Sequence, residues 1–422
     1  FRTAAARYAV AGSAPAHRVC SCFIFPILPY QLGCPVHRVF CDGWECISSR
    51  QSTCLTLIPM PQTITARRLL TLEGVLDHPV ITIEDGIIQS IPAGSIYFGG
   101  SDPGRMLVTA LCESQIQGKP FFTLTQNALS DVRYLDYLRA MYGKWIVLPT
   151  TNQVQTALDD YTADLQRRVE HDREFPGEPR QVKPGENYRM VDGKLQPGGP
   201  VSVMAIHARL VKVILEHNPK REFYLEESYP MELLYPYLSP HGLIFKLNHE
   251  PLRQLTAAML EADHAFWTKQ CAAMLGDWLK PDTSVSNVCS FARAVYERKD
   301  YSHFKGDREF VTNEFAPKAF SKLRVSIAGL YQWRLMQHPD ATVRARLETA
   351  ANEAFQQAFA LCPTSPEVLY RYVNFLLFQG RMDDAVMLAS TAQELTPDNE
   401  QYKQLLKQLL NFQQQQNMKA AH

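Results

Sequence analysis

The turn that follows the first apolar strand of the central region carries the residue types best suited to ligand chemistry. It lies within FGGSDPGRM, residues 98–106. Asp102 suits the N-cap of the following helix and Pro103 its first turn. Backbone N–H groups at such a helix start can bind an anion, with Arg105 adding a positive charge. The predicted anion-binding residues here are Gly99, Gly100, Ser101, Asp102, Gly104 and Arg105.

The alternative is that this turn is only a tight, well-capped connection. A nucleotide-hydrolysing loop is disfavoured, because Arg105 and Met106 stand where the lysine and the Mg²⁺-binding hydroxyl residue are needed. Ser101 does not form a nucleophile elbow, because Pro103 occupies the position of the second glycine.

Polar residues also follow two other predicted strands. Glu226 and Glu227 end the strand in FYLEESYP, and Asn127 follows the strand in PFFTLTQ. Paired carboxylates at a strand end can serve acid–base chemistry. The alternative is a structural role, in which one of the two glutamates caps a neighbouring helix and the other is solvated. We add Asn127, Glu226 and Glu227 to the candidate ligand-binding residues.

An alternation of strands and helices over residues 93–250 positions these candidates. The predicted strands are SIYFGG, PFFTLTQ, WIVLP, REFYLEES and HGLIFKLN. Continuous apolar strands separated by amphipathic helices are typical of parallel βαβ units. We therefore predict an α/β, Rossmann-like parallel sheet domain. Residues 175–200 are rich in proline and glycine and predict a surface excursion, with a hairpin turn at Asp192-Gly193.

The chain after Pro251 has the pattern of helices alone. Residues 251–340 predict a helical connector, with Thr256 as the N-cap of its first helix. Residues 341–422 predict a tetratricopeptide-repeat region with a capping helix, because Pro363 and Pro397 are 34 residues apart. Small residues precede each proline at helical spacing. Such repeats stack into surfaces that bind a protein or peptide partner.

The first 92 residues differ from the rest. Six of the ten cysteines lie within the first 54 residues, yet they form no C-x-x-C pair. Residues 1–59 predict a non-globular leader without a metal site, and we expect no cofactor. Residues 60–92 predict a short β segment with a turn at Asp85-Gly86. The formal net charge is zero, which disfavours nucleic acid as a partner, and no apolar run is long enough to span a membrane.

Several long segments together resemble one family. They are IYFGGSDPGR, FFTLTQNALSDVRYLDYLR, EFPGEPRQVKPGE, FYLEESYPMELLYPYLSPHGLIFKLN and the terminal repeats. This set resembles the soluble C-terminal region of bacterial GT-C-type multipass proteins related to the transmembrane-protein O-mannosyltransferase. The resemblance implies a membrane-associated setting in the bacterial envelope and catalytic acids in a membrane half. This chain lacks that half, so no catalytic residue is carried over.

Residues 60–91 resemble the N-terminal strands of N-acetylglucosamine-6-phosphate deacetylases, but the H-x-H metal pair of those enzymes is absent. Three functions therefore stay open. The first is a non-catalytic accessory module that binds a protein partner, or its own missing membrane half. The second is a glycosyltransferase-associated domain that binds a phosphate-bearing sugar donor or acceptor. The third is a remnant of an amidohydrolase deacetylase.

Overall fold

A mixed sheet followed by a stack of helices forms the part of the chain that the structure describes. The computed structural model describes residues 68–71, 74–77, 90–99, 121–226 and 231–420. The predicted leader at 1–59 and the predicted turn at Asp85-Gly86 lie outside these residues. A β-hairpin of two four-residue strands falls within the predicted short β segment.

Nine strands and eleven α-helices are described. The strands are β1 (Arg68–Thr71), β2 (Gly74–Asp77), β3 (Ile96–Gly99), β4 (Phe122–Thr125), β5 (Asn187–Val191), β6 (Lys194–Gly198), β7 (Phe223–Leu225), β8 (Leu238–His241) and β9 (Ile244–Leu247). The helices are α1 (Val132–Tyr142), α2 (Thr151–Glu174), α3 (Gly199–His217), α4 (Ala257–Leu275), α5 (Val285–Ala292), α6 (Arg308–Thr312), α7 (Ala316–Leu335), α8 (Ala341–Leu361), α9 (Pro366–Phe378), α10 (Met382–Leu395) and α11 (Glu400–Ala420). Two 3₁₀ segments, at Gln126–Ala128 and Glu232–Tyr237, follow β4 and precede β8.

The central sheet has five strands in the order β4-β3-β7-β9-β8. Strands β3, β4 and β7 are parallel, whereas β9 pairs antiparallel with both β7 and β8. The prediction of a parallel sheet is therefore wrong for its last strands, and a Rossmann-like fold is not confirmed. The physical reason is the two-residue turn at Gly242-Leu243, which joins β8 to β9 directly, whereas a parallel pair needs a long crossover.

The predicted strand at WIVLP is also wrong, because residues 145–149 form a turn followed by a loop. The Asn218 side chain forms the backbone hydrogen bonds at Val147 that a neighbouring strand would otherwise form. Its Oδ1 accepts from the Val147 N–H at 2.8 Å, and its Nδ2 donates to the Val147 carbonyl at 2.8 Å. The continuous apolar run from Trp145 to Leu148 produced the strand prediction, although Trp145 and Val147 are exposed in the structure.

The hairpin predicted within the surface excursion is confirmed. Strands β5 and β6 pair antiparallel around a turn at Asp192 and Gly193. Both turn residues have positive φ, at 50° and 74°, as a type I′ turn requires. Pro197 lies in β6 opposite Tyr188, at a position whose nitrogen points away from β5.

The helical region is built around α7, which is buried on nearly all sides. The predicted N-cap at Thr256 is confirmed, since its hydroxyl accepts from the Met259 N–H at 3.2 Å. Helix α7 packs most extensively against α8 and also contacts α9 and β9. At its C-terminal end Arg334 donates to the carbonyls of Leu252 and Pro236, each at 2.8 Å. This side chain ties the helical region to the segments on either side of the β8–β9 hairpin.

The last helix extends further than its sequence suggested. The sequence predicts a capping helix from about Asn399 to Phe412 and a frayed glutamine-rich end, whereas α11 begins at Glu400 and continues to Ala420. Glutamine has a good helix propensity, and Gln413 donates to Asp383 of α10 at 2.6 Å. Side-chain contact with the preceding helix therefore supports the glutamine-rich turns.

Candidate functional site

The edge formed by the C-terminal ends of β3, β4 and β7 holds those predicted ligand-binding residues that the structure describes. Gly99 ends β3 and pairs with Thr125 of β4, while Leu225 of β7 pairs with Phe98. Asn127 follows β4 and Glu226 follows β7. The parallel strands thus place Gly99, Asn127 and Glu226 at one edge of the sheet. Gly100, Ser101, Asp102, Gly104, Arg105 and Glu227 lie outside the described residues.

Glu226 is engaged within this edge. Its backbone N–H donates to the Phe98 carbonyl at 2.9 Å, and its carboxylate accepts from the hydroxyl of Tyr97. Gly99 is required by the same tyrosine, because a Cβ at Gly99 would lie 2.9 Å from Cε1 of Tyr97. A carboxylate held at this edge repels a phosphate, so the described residues do not favour anion binding.

A serine–histidine pair close to this edge was not foreseen. Ser130 Oγ lies 2.9 Å from His207 Nε2, although the two residues are 77 apart in sequence. His207 is buried in α3, and its Nδ1 has no hydrogen-bond partner among the described residues. Ser130 is an exposed turn residue, and no pattern in the sequence connects it with His207.

The electrostatics of this pair do not suit nucleophile activation. Burial lowers the pKa of His207 to about 4. A general base works best with a pKa near the operating pH, and in nucleophile triads a third group orients the histidine. Neither condition is met by the described surroundings of His207. The pair therefore ties α3 to the turn after β4 and does not resemble a catalytic dyad.

Buried cysteines likewise offer no reactive thiol in the described residues. Cys271, Cys289 and Cys362 are free and buried. Burial raises the pKa of the Cys271 thiol to about 12, so its nucleophilic thiolate is scarce near neutral pH. Between residues 68 and 420, where described, no three or more histidine, cysteine, aspartate or glutamate side chains are arranged to hold a metal ion.

The C-terminal helices form a second candidate site, built from stacked antiparallel pairs. Helix α8 packs on α7, and α9 packs on α10. Small buried residues permit this close packing: Ala351, Ala354, Ala358, Ala385, Ala389 and Ala392. Gly380, with φ of 73°, makes the turn between α9 and α10. Aromatic stacking of Phe355 on Tyr372 joins α8 to α9, with ring centroids 5.5 Å apart.

One stripe of α9 stays accessible in this stack. It consists of Glu367, Arg371, Asn374 and Phe378, spaced three or four residues apart so that they share one helix face. Phe378 is 47% exposed, which is high for a large apolar side chain. Glu367 and Arg371 form an ion pair at 3.1 Å. We call these four residues the α9 stripe.

Neighbouring helices flank the α9 stripe. Gly329 of α7 lies against Arg371, since a Cβ at Gly329 would be 2.9 Å from Nη1 of Arg371. On the other side, Tyr370 of α9 contacts Tyr402 of α11, with ring centroids 6.4 Å apart. The stripe thus lies on a surface formed by successive helices. A continuous helical surface of this kind can hold an extended segment of another protein.

No helix among the described residues is both long and apolar enough to cross a membrane. A comparison with curated proteins finds no match to the chain. The resemblances to GT-C-type proteins and to deacetylases gain no support from the comparisons. Residues 348–409 match the tetratricopeptide repeat family, in agreement with the spacing of Pro363 and Pro397. The C-terminal helices of this chain therefore contain a tetratricopeptide repeat.

Proposed function

We propose that the chain is a protein-interaction module whose repeat region binds an extended segment of a partner along the α9 stripe. The observation that carries this proposal is the repeat itself, together with the exposed Phe378 on its accessible face. Exposed aromatic side chains are frequent anchors in protein interfaces. Asn374 adds an amide that can donate to and accept from a peptide backbone.

The described part of the α/β region offers less support for an enzyme. The Glu226 carboxylate at the strand end accepts a hydrogen bond from Tyr97, and burial lowers the pKa of His207, which favours its neutral form. We therefore assign the principal function to recognition by the helices, with the sheet as their support.

Site-specific photo-crosslinking tests this proposal. Asn374 is replaced by a photo-reactive residue, and the cross-linked partner is identified by mass spectrometry. The control places the same group at Asp160, which is exposed on α2, remote in sequence from the repeat. We expect a defined partner segment to be captured at Asn374 only.

Affinity for that segment gives the quantitative test. Phe378→Ala should weaken binding by about tenfold, equivalent to about 1.4 kcal/mol, because it removes an exposed aromatic anchor. Asp160→Ala should leave the affinity unchanged. Equal affinities of Phe378→Ala and the parent protein would show that the α9 stripe is not the binding face.

A narrower form of this proposal takes the partner to be the membrane-embedded half of a GT-C-type glycosyltransferase. Its support is the order and length of the resembling segments over residues 93–422. It requires that the segment captured at Asn374 belong to a multipass membrane protein. Capture of a segment from another class of protein would remove the narrower form and leave the interaction module intact.

A further inference from the structure

The outer edge of β5 is open among the described residues, whereas both edges of the central sheet and the outer edge of β6 are protected. In the central sheet, Tyr134 of α1 accepts from the Thr125 N–H at the β4 edge, at 2.7 Å. At the opposite edge β8 contains Pro240, whose nitrogen has no hydrogen to donate. Pro197 likewise leaves the outer edge of β6 without an N–H donor at that position. Strand β5 has neither a proline nor a covering residue among those described.

The register of the hairpin shows which β5 groups face outward. The two-residue turn makes Val191 and Lys194 a hydrogen-bonded pair, so Arg189 and Asn187 also bond to β6. The N–H and C=O groups of Tyr188 and Met190 therefore point away from β6. Within the described residues, none of these four backbone groups has a hydrogen-bond partner.

The side chains at the same two positions are exposed and apolar. Tyr188 is 43% exposed and Met190 is 60% exposed. They project from one face of the hairpin, whereas Arg189 projects from the other. An incoming strand would thus meet backbone partners and apolar side chains at the same two residues.

The charge of the hairpin favours an acidic occupant. Arg189, Gln196 and Lys194 share one face, and neither basic residue forms an ion pair among the described side chains. Antiparallel pairing of two copies of β5, with Tyr188 bonded to Met190, would place Arg189 directly opposite Arg189. Like charges at that spacing destabilise a strand pair.

We propose that the outer edge of β5 binds an extended polypeptide strand of a partner, in which an acidic residue is flanked by apolar residues. The acidic side chain lies opposite Arg189, and the flanking apolar side chains lie beside Tyr188 and Met190. Main-chain hydrogen bonds at Tyr188 and Met190 supply affinity, and the alternating side chains supply specificity. This surface is separate from the α9 stripe and does not depend on it.

Amide hydrogen exchange in the full chain tests the proposal with two synthetic probes. One is an acetylated and amidated pentapeptide, Thr-Val-Glu-Val-Thr, and the other has lysine in place of its glutamate. At saturating concentration the acidic peptide should slow exchange of the Tyr188 and Met190 amides by at least about tenfold, because both become hydrogen-bonded. The lysine peptide should have no effect. Unchanged exchange with the acidic peptide, or equal protection by both, would overturn the proposal.

Two variants sharpen this test. Met190→Pro removes an outward N–H without removing a bond to β6, so the Arg189 and Val191 amides stay protected while the peptide effect at Tyr188 disappears. Arg189→Glu should reverse the preference toward the lysine peptide. Lys220→Glu, an exposed substitution outside the hairpin, is the matched charge control and should retain the original preference.

A second copy of the chain is the competing occupant. It predicts that raising the protein concentration alone slows exchange at Tyr188 and Met190, and that Met190→Pro shifts a dimer to monomer by light scattering. That result would replace the acidic partner by self-association. If Met190→Pro did not fold, the charge reversal at Arg189 would still decide the proposal.

Discussion

Arg324 of α7 donates from Nη1 to Oδ2 of Asp263 on α4 at 2.7 Å, and both side chains are buried. Tyr331 donates to the same carboxylate oxygen at 2.7 Å, and the guanidinium lies over the Trp267 ring at 5.0 Å. This buried ion pair therefore links α4 to α7 within the core of the helical region.

Removing one partner of this pair should be strongly destabilising. Arg324→Met leaves the Asp263 carboxylate buried without its cation, and we expect a loss of about 3–5 kcal/mol in the free energy of unfolding. Tyr331→Phe removes one hydrogen bond to the carboxylate and should cost about 1–2 kcal/mol. Urea denaturation measures both. The double variant Arg324→Met with Asp263→Leu should lose less than the two single variants combined; simple additivity would contradict the coupling.

His207 should make stability depend on pH. Burial lowers its pKa from 6.5 to about 4, so between these values the unfolded chain binds a proton that the folded chain does not. The free energy of unfolding should therefore fall by about 3 kcal/mol from this group as the pH falls through that window. His207→Gln should show a shallower dependence over the same pH range. Identical slopes for the two proteins would mean that His207 is protonated in the fold.

Asn218 should stabilise the fold through the loop that it holds. Besides Val147, its amide donates to the Ile214 carbonyl at 2.8 Å. Asn218→Ala removes three hydrogen bonds, and we expect a loss of about 2 kcal/mol by urea denaturation. Asn152→Ala, at an exposed position of α2, should change the free energy of unfolding by less than about 0.5 kcal/mol. A loss no larger than that control would mean that water replaces the amide at little cost.

The repeats should not fold cooperatively by themselves. Helix α8 buries one side against α7 and also contacts α4 and α5, so residues 341–422 alone would expose that surface. We expect a broad thermal melt for this fragment, followed by circular dichroism. Residues 251–422, which retain α4, α5 and α7, should melt sharply. A sharp transition in the shorter fragment would show that the repeat helices are self-sufficient.

Local signals in the sequence were reliable where the physics is local. Asp192-Gly193 and Thr256 act through their own turn or helix start, and Pro363 and Pro397 mark helix ends at a fixed repeat. The strand prediction at residues 145–149 failed because the backbone groups of Val147 bond to the Asn218 side chain, 71 residues away, and not to another strand. Apolar periodicity identified HGLIFKLN as a strand but carries no information on pairing direction, so β9 was assigned the wrong sense.

In the candidate site, too, the local features could be predicted from the sequence and the contacts between distant segments could not. Strand ends are visible in the sequence, so Gly99, Asn127 and Glu226 could each be assigned to the end of a strand. The bond from Tyr97 to Glu226 and the contact of Ser130 with His207 join distant segments, and no spacing rule connects them. The open β5 edge could not be predicted from the sequence, because it depends on how the other described elements pack around the hairpin.

The placement of α7 has a mechanical consequence. One end of this helix is fastened by Arg334 to carbonyls next to the β8–β9 hairpin, and along its length it supports α8 and α9. A partner pulling on the α9 stripe would transmit tension through α7 into the sheet. The repeat and the sheet would then resist the force together. Separating them would require removing the Arg334 guanidinium from its buried position.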